Sequence, residues 1–165
     1  MKSATRWWDF PSAAILFLAL LTSAARLAAT DWTSGLEAAE GLAALGAVIG
    51  LALGQSRFRR DAVSLLAASY SLAFIPWQLG GTLYSEIAWR ERLVSLAGRL
   101  MAAFGQLTAG QAVEDPLLFI ASMSIIFWTL SLAAGYSLTR RAGFAAAILP
   151  GGIALVFTQL YDRGT

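Results

Sequence analysis

The 165-residue sequence contains neither cysteine nor histidine. Without cysteine it can form no disulfide, no thiolate nucleophile and no zinc–thiolate site. Without histidine it lacks the side chain that most readily exchanges protons near neutral pH. Triads of the Ser-His-Asp or Cys-His kind are excluded, and so is haem ligation by either residue. Charge is scarce as well. Charged residues make up 13% of the chain, where a soluble domain carries about 25%. The net charge is only +2, and the basic residues are dispersed among apolar runs. No basic patch of the kind that binds nucleic acid results.

What the chain has in abundance is apolar surface, at 58% of residues. A helix needs roughly 20 apolar residues to cross a bilayer. Five stretches meet that requirement, near 12–29, 35–54, 62–83, 116–139 and 143–161. The expected fold is all-α: a polytopic membrane helical bundle of about five transmembrane helices in a single membrane domain spanning 1–165. Asp9 and Pro11 give the first span its start signal. Arg6, Trp7 and Trp8 ahead of it suit the membrane–water interface. Ser34 and Glu37 fit a capping box for the second span, whose charge-free part is shortened by Glu40. Pro76 lies inside the third span, and Pro150 with Gly151-Gly152 inside the fifth. Membrane helices tolerate such residues when neighbours satisfy the freed carbonyls, so bends rather than ends are expected there.

A different segment separates the third and fourth spans. Trp89, Leu93, Leu96, Ala97, Leu100, Met101, Phe104 and Leu107 recur at helical spacing, while Arg92, Ser95, Arg99 and Gln106 occupy other positions around the helix. The pattern predicts an amphipathic helix over 89–108, too polar to span and suited to lying flat on the membrane surface. The alternative is an apolar stripe packed on the bundle.

Orientation follows from the short loops. Lys2 and Arg6, then Arg57, Arg59 and Arg60, then Arg140 and Arg141 fall on one side. The other side holds Arg26, Arg90, Arg92, Arg99 and Arg163 but also most of the acids. The amino terminus is expected inside and the carboxyl terminus outside a bacterial cytoplasmic membrane, with the amphipathic helix on the outer face. Lys2, Arg6 and Ser23-Ala24-Ala25 also outline a cleavable signal peptide. The apolar run continues to Ala29, which favours a retained span.

Four constellations carry alternatives. Gly46, Gly50 and Gly54 repeat every four residues and permit close helix approach, either between two copies in a homo-oligomer or within one bundle. Arg26, Glu37 and Glu40 lie near the outer ends of the first two spans. They suit an outer-face polar site that, with Arg90, Arg92 and Arg99, docks a partner, or a plain structural ion pair. Gln78, Ser122, Ser124, Thr129, Ser131 and Thr158 either line a cavity or bond to their own helices. Glu114 and Asp115 either hold a hard cation or favour the dipole at the start of the fourth span. No catalytic constellation, metal site or cofactor site emerges from these residues.

Several stretches resemble a known family. They are Arg6-Trp7-Trp8-Asp9-Phe10-Pro11, Trp89-Arg90-Glu91-Arg92-Leu93, Val113-Glu114-Asp115-Pro116-Leu117-Leu118-Phe119, Phe127-Trp128-Thr129-Leu130-Ser131, and Ala134-Gly135-Tyr136 followed by Arg140-Arg141. The chain is similar to the amino-terminal membrane region of bacterial transglutaminase-like membrane proteins. The resemblance implies helices preceding an extracytoplasmic domain with a cysteine–histidine–aspartate triad. No such triad can be placed here, so no functional residue carries over. The expectation is a stand-alone membrane module or the first part of a longer protein. Two roles follow: a non-catalytic anchor or scaffold that positions an extracytoplasmic partner, or a small membrane-embedded solute-binding subunit or transporter component.

Overall fold

The computed structural model describes residues 10–30, 32–81, 87–113, 115–141 and 152. Among them are five α-helices and no strand: α1 (Phe10–Ala28), α2 (Glu37–Gln55), α3 (Arg60–Gly80), α4 (Trp89–Thr108) and α5 (Leu117–Arg141). All except α4 are long and apolar enough to cross a membrane. With 19 to 25 residues each and about 1.5 Å of rise per residue, they match a hydrocarbon layer of about 30 Å. The span expected over 143–161, with Pro150 and Thr158, lies outside the described residues.

Lipid is as apolar as leucine, so burial alone does not hold membrane helices together. Close packing and interhelical hydrogen bonds must do so. The pairing of α2 with α5 shows how this chain solves the problem. The two helices run parallel: Gly46 faces Trp128 and Ser131, Gly50 faces Leu132, and Gly54 faces Tyr136 and Thr139. Gly135 returns the contact from the other side. A Cβ there would sit 2.6 Å from the Ala47 carbonyl oxygen, and one at Gly46 would sit 2.8 Å from that of Trp128. Real side chains do not tolerate such distances, so glycine is required for the two backbones to meet. The glycine stripe is thus covered by α5 of the same chain.

Helix α1 lies antiparallel to α2. Its Ala13, Leu16 and Leu20 pack with Ala47, Ala134 and Leu138 toward one end of the bundle. Ala24 and Leu27 pack with Leu36, Ala39 and Ala43 toward the other. Helix α3 is peripheral; only Val63, Leu79 and Gly80 are buried. Its Leu65 and Leu72 are 70% and 78% exposed, as a lipid-facing surface requires. The helix continues through Pro76 to Gly80. Its firmest polar tie is mid-helix, where Trp128 Nε1 donates to Ser71 Oγ over 2.7 Å.

The capping box expected from Ser34 and Glu37 does not form. Gly35 adopts φ 101°, Leu36 precedes the helix, and no side chain caps its first turn. The opening amides of Ala38 and Ala39 instead reach the Gly35 and Leu36 carbonyls. The left-handed glycine turns the chain after Ser34 and displaces its hydroxyl from the capping position.

The two ends of the bundle differ chemically. At one end Arg140 donates to the Ser56 carbonyl over 2.9 Å and to that of Phe58 over 3.3 Å. This gathers the end of α5 against the connection that carries Arg57, Arg59 and Arg60. At the other end lie the starts of α2 and α5, the end of α3, and α4.

Candidate functional site

At the α4 end, the start of α5 is built around Asp115. Its carboxylate accepts the Leu117 backbone N–H over 2.9 Å and takes two parallel hydrogen bonds from Arg99, Nε and Nη2, each 2.8 Å long. One side chain therefore caps α5 and ties α4 to it. The Arg99 hydrogen bonds hold the carboxyl below its ordinary range. Desolvation opposes them, and the Leu117 amide adds to them. Asp115 thus takes the helix-starting role read from the sequence; Glu114 lies outside the described residues.

Helix α4 does not present a uniform face to the bundle. Leu96 and Ala103 are buried, and Arg92 and Arg99 fall within about 60° of them on the helical wheel, at 100° per residue. Arg92 Nε donates to the Ile87 carbonyl over 2.9 Å. On the far side Val94 and Met101 are exposed by half or more, and so are Phe104 and Leu107 elsewhere on the helix. The arginines therefore flank one side of the buried edge, and the apolar stripe runs from that edge, where Leu100 packs on the core, round to exposed Met101.

This arrangement leaves a cavity of about 820 Å³ between α2, α3, α4 and α5. Glu37 and Ala38 of α2, Trp77 and Gln78 of α3, Trp89, Arg92 and Arg99 of α4, Leu117 and Ile120 of α5, and Pro116 just before it line it. Both α2 and α5 begin beside it, and acids already occupy those helix starts: Glu37 in the first turn of α2 and Asp115 at the start of α5. Trp77 and Trp89 also wall a second hollow of about 450 Å³, lined by Leu72, Ala73, Phe74, Pro76 and Leu93. The two indoles thus stand between the polar cavity and an apolar groove along α3 and α4.

The residues expected to form one outer-face docking surface separate into two groups. Glu37, Arg92 and Arg99 line the cavity together. Arg26 is exposed in the last turn of α1, and among the described residues no hydrogen bond or ion pair joins it to Glu37 or Glu40. Arg90 is exposed and lies about 160° around α4 from Arg92. Of these residues the structure brings Glu37, Arg92 and Arg99 to one cavity wall, with Arg99 still exposed, and it sets Arg90 on another side of α4.

Of the polar residues within the spans, Gln78 lines the cavity and its amide packs against Gly41. Ser122 and Thr129 are exposed and donate to carbonyls one turn back on α5. Ser124 and Ser131 are fully buried, and among the described residues their hydroxyls have no hydrogen-bond partner. Trp77 and Trp89 were not singled out as site residues in the sequence, although an indole near a span end is an interfacial signal. Among the described residues no three His, Cys, Asp or Glu side chains gather as a metal site.

No protein-family model, curated protein or solved structure matches this chain. None of these comparisons supports the resemblance to transglutaminase-like membrane regions expected from the sequence.

Proposed function

We propose that this chain is a non-catalytic membrane anchor and scaffold that holds an extracytoplasmic partner, or a further domain of the transglutaminase-like kind, at the face where α4 lies. The carrying observation is the contrast between the two ends. Arg57, Arg59 and Arg60 cluster with Arg140 at one end, which the positive-inside rule assigns to the cytoplasm. The opposite end carries Glu37, Glu40, Asp115 and a helix whose exposed side is largely apolar. Such a helix seats in the interface and gives a fixed platform above the bundle. In this reading the chain crosses a bacterial cytoplasmic membrane with its amino terminus inside and its carboxyl terminus outside.

The absence of cysteine makes the test simple. Single cysteines at positions 59 and 90 are labelled on intact spheroplasts with a membrane-impermeant maleimide. Position 90 is expected to react and position 59 to react only after lysis; the reverse pattern overturns the orientation. A photo-crosslinker at position 90 is expected to capture a co-expressed transglutaminase-like extracytoplasmic domain. Failure to capture it, with the topology intact, overturns the scaffold.

A second reading, a small solute-binding subunit or transporter component, is favoured by one observation. The 820 Å³ cavity between helix ends is the feature such a protein requires.

A further inference from the structure

We infer that the connection between α2 and α3, with the end of α5 laid against it, forms a binding site for the headgroups of anionic phospholipids. The site requires that the long apolar helices cross a bilayer. It is independent of the scaffold reading and of which end faces the cytoplasm. Arg57, Arg59 and Arg60 are exposed, and among the described residues their guanidinium groups make no hydrogen bond or ion pair. A fourth arginine arrives from far along the chain. Arg140 is itself exposed, and its bonds to the Ser56 and Phe58 carbonyls hold its guanidinium against the same connection. Asp61, exposed in the first turn of α3, is the acid beside them. Among the described residues it pairs with none of these arginines, so the cluster stays strongly positive.

Chain geometry favours a membrane over a soluble partner. Helix α2 ends at Gln55 and α3 begins at Arg60, so residues 56–59 make the whole turn. An out-and-back path of that length rises at most about 7 Å from the helix ends. The Debye length at physiological ionic strength is about 8 Å. The arginines therefore stay within the field of the adjoining lipid phosphates. Phe58, between Arg57 and Arg59, is 53% exposed. An apolar ring flanked by guanidinium groups suits the boundary where acyl chains meet headgroups. The arginine stems lie along the apolar layer and carry their charges to the phosphates. A soluble acidic partner reaches these charges only by displacing the headgroups beside them.

The test uses the full chain in nanodiscs of phosphatidylcholine. Gln55→Cys, at the exposed end of α2, supplies a single thiol for a bimane label in a sequence without cysteine. The probes are phosphatidylglycerol and phosphatidylcholine with identical acyl chains, each carrying a quenching nitroxide near the glycerol, at the same mole fraction. Phosphatidylglycerol is expected to be enriched at the label by about five- to twentyfold, the contribution of one or two arginines at about fivefold each. The enrichment is expected to vanish in 1 M salt, where the Debye length is about 3 Å. The combined Arg57→Gln, Arg59→Gln and Arg60→Gln substitutions are expected to abolish it. Arg26→Gln with Arg90→Gln, at the other end, is expected to leave it unchanged. Equal quenching by the two lipids, or an enrichment that survives the triple substitution, overturns the proposal. An equal loss from the Arg26 and Arg90 substitutions also overturns it, because the preference then follows net charge and not this site. Removal of the enrichment by glycerol 3-phosphate, beyond the effect of sodium chloride at equal ionic strength, overturns it in favour of a soluble anion. Absence of quenching by either lipid overturns the bilayer reading itself. Should the triple variant fail to fold, the salt dependence and Arg57→Gln alone decide. The single substitution is expected to lower the enrichment by up to about fivefold, and an enrichment that neither changes overturns the proposal.

Discussion

Trp128 and Ser71 join the peripheral helix to the core. The Trp128 side chain is fully buried, and its Nε1 donates to Ser71 Oγ over 2.7 Å. Ser71 in turn donates to the Ala67 carbonyl over 2.8 Å, so its hydroxyl uses both capacities. Phe74 stacks beside the same indole with ring centroids 6.0 Å apart. Helix α3 buries little else, which makes this its main specific attachment to α5. Trp128→Phe keeps most of the ring and removes the donor, and Ser71→Ala removes the acceptor. A double-mutant cycle, read by unfolding in mixed micelles, is expected to give a coupling of about 0.6 kcal/mol, the average for hydrogen bonds between membrane helices, and no more than about 1.7 kcal/mol. Zero coupling would show that α3 is held by packing alone.

The glycines sort by their surroundings. Gly50 meets the Leu132 backbone and Gly135 the Ala47 carbonyl, whereas among the described residues nothing beyond the local backbone of α4 lies within 4 Å of where a Cβ would sit on Gly98 or Gly105. Gly50→Ala and Gly135→Ala are expected to destabilise by about 1–3 kcal/mol each, the cost of overpacking. Gly98→Ala and Gly105→Ala are expected to be neutral or to stabilise α4 by up to about 1 kcal/mol. Thermal unfolding in detergent separates the two classes. A uniform response across all four would show that backbone proximity is not what selects glycine in α2 and α5.

The sequence made the helices legible because lipid imposes one strong rule. Long charge-free runs become spans, and Glu37, Arg60 and Arg141 stand at ends rather than in the middle. The small-residue stripe was legible as a close-packing surface; its partner was not. Spacing on α2 says nothing about which helix supplies Gly135 opposite. The amphipathic segment over 89–108 was legible as a helix. Which of its edges faces the bundle depends on Asp115, sixteen residues from Arg99, and no periodicity within α4 encodes that contact. For the same reason the cavity could not be read from the chain: its walls come from four helices whose ends meet only after folding. The Ser34–Glu37 motif misled because the box pattern ignores the intervening Gly35 and its positive φ.

Ser124 and Ser131 put a limit on how much the polar residues of α5 contribute. Both hydroxyls are buried and, among the described residues, without a hydrogen-bond partner, while Thr139 on the same helix donates to the Gly135 carbonyl over 3.0 Å. An unsatisfied buried polar group costs about 1–3 kcal/mol. Ser124→Ala and Ser131→Ala are therefore expected to raise stability or leave it unchanged, measured by unfolding in detergent. Thr139→Val is expected to lower it. A clear loss from either serine substitution would reveal a partner for that hydroxyl.

The Arg99–Asp115 pair makes the seating of α4 depend on pH, and the sign follows from the lowered Asp115 pKa. Folding favours the ionised carboxylate. The contribution is complete above the unfolded carboxylate value of about 3.9, and it is lost as pH falls through the lower folded value. The ion pair is partly open to solvent, so the effect is local: α4 loosens from α5 while the α2–α5 core persists. Hydrogen exchange of the Leu117 amide and of the α4 amides is expected to be slow at neutral pH. Relative to the intrinsic rate, it accelerates in acid below the ordinary carboxylate range. Asp115→Asn cannot form the charged pair and is expected to show the loosened α4 at every pH, with no acid transition of its own. An acid transition that survives in Asp115→Asn would assign the response to another carboxylate and remove Asp115 as the group that seats α4.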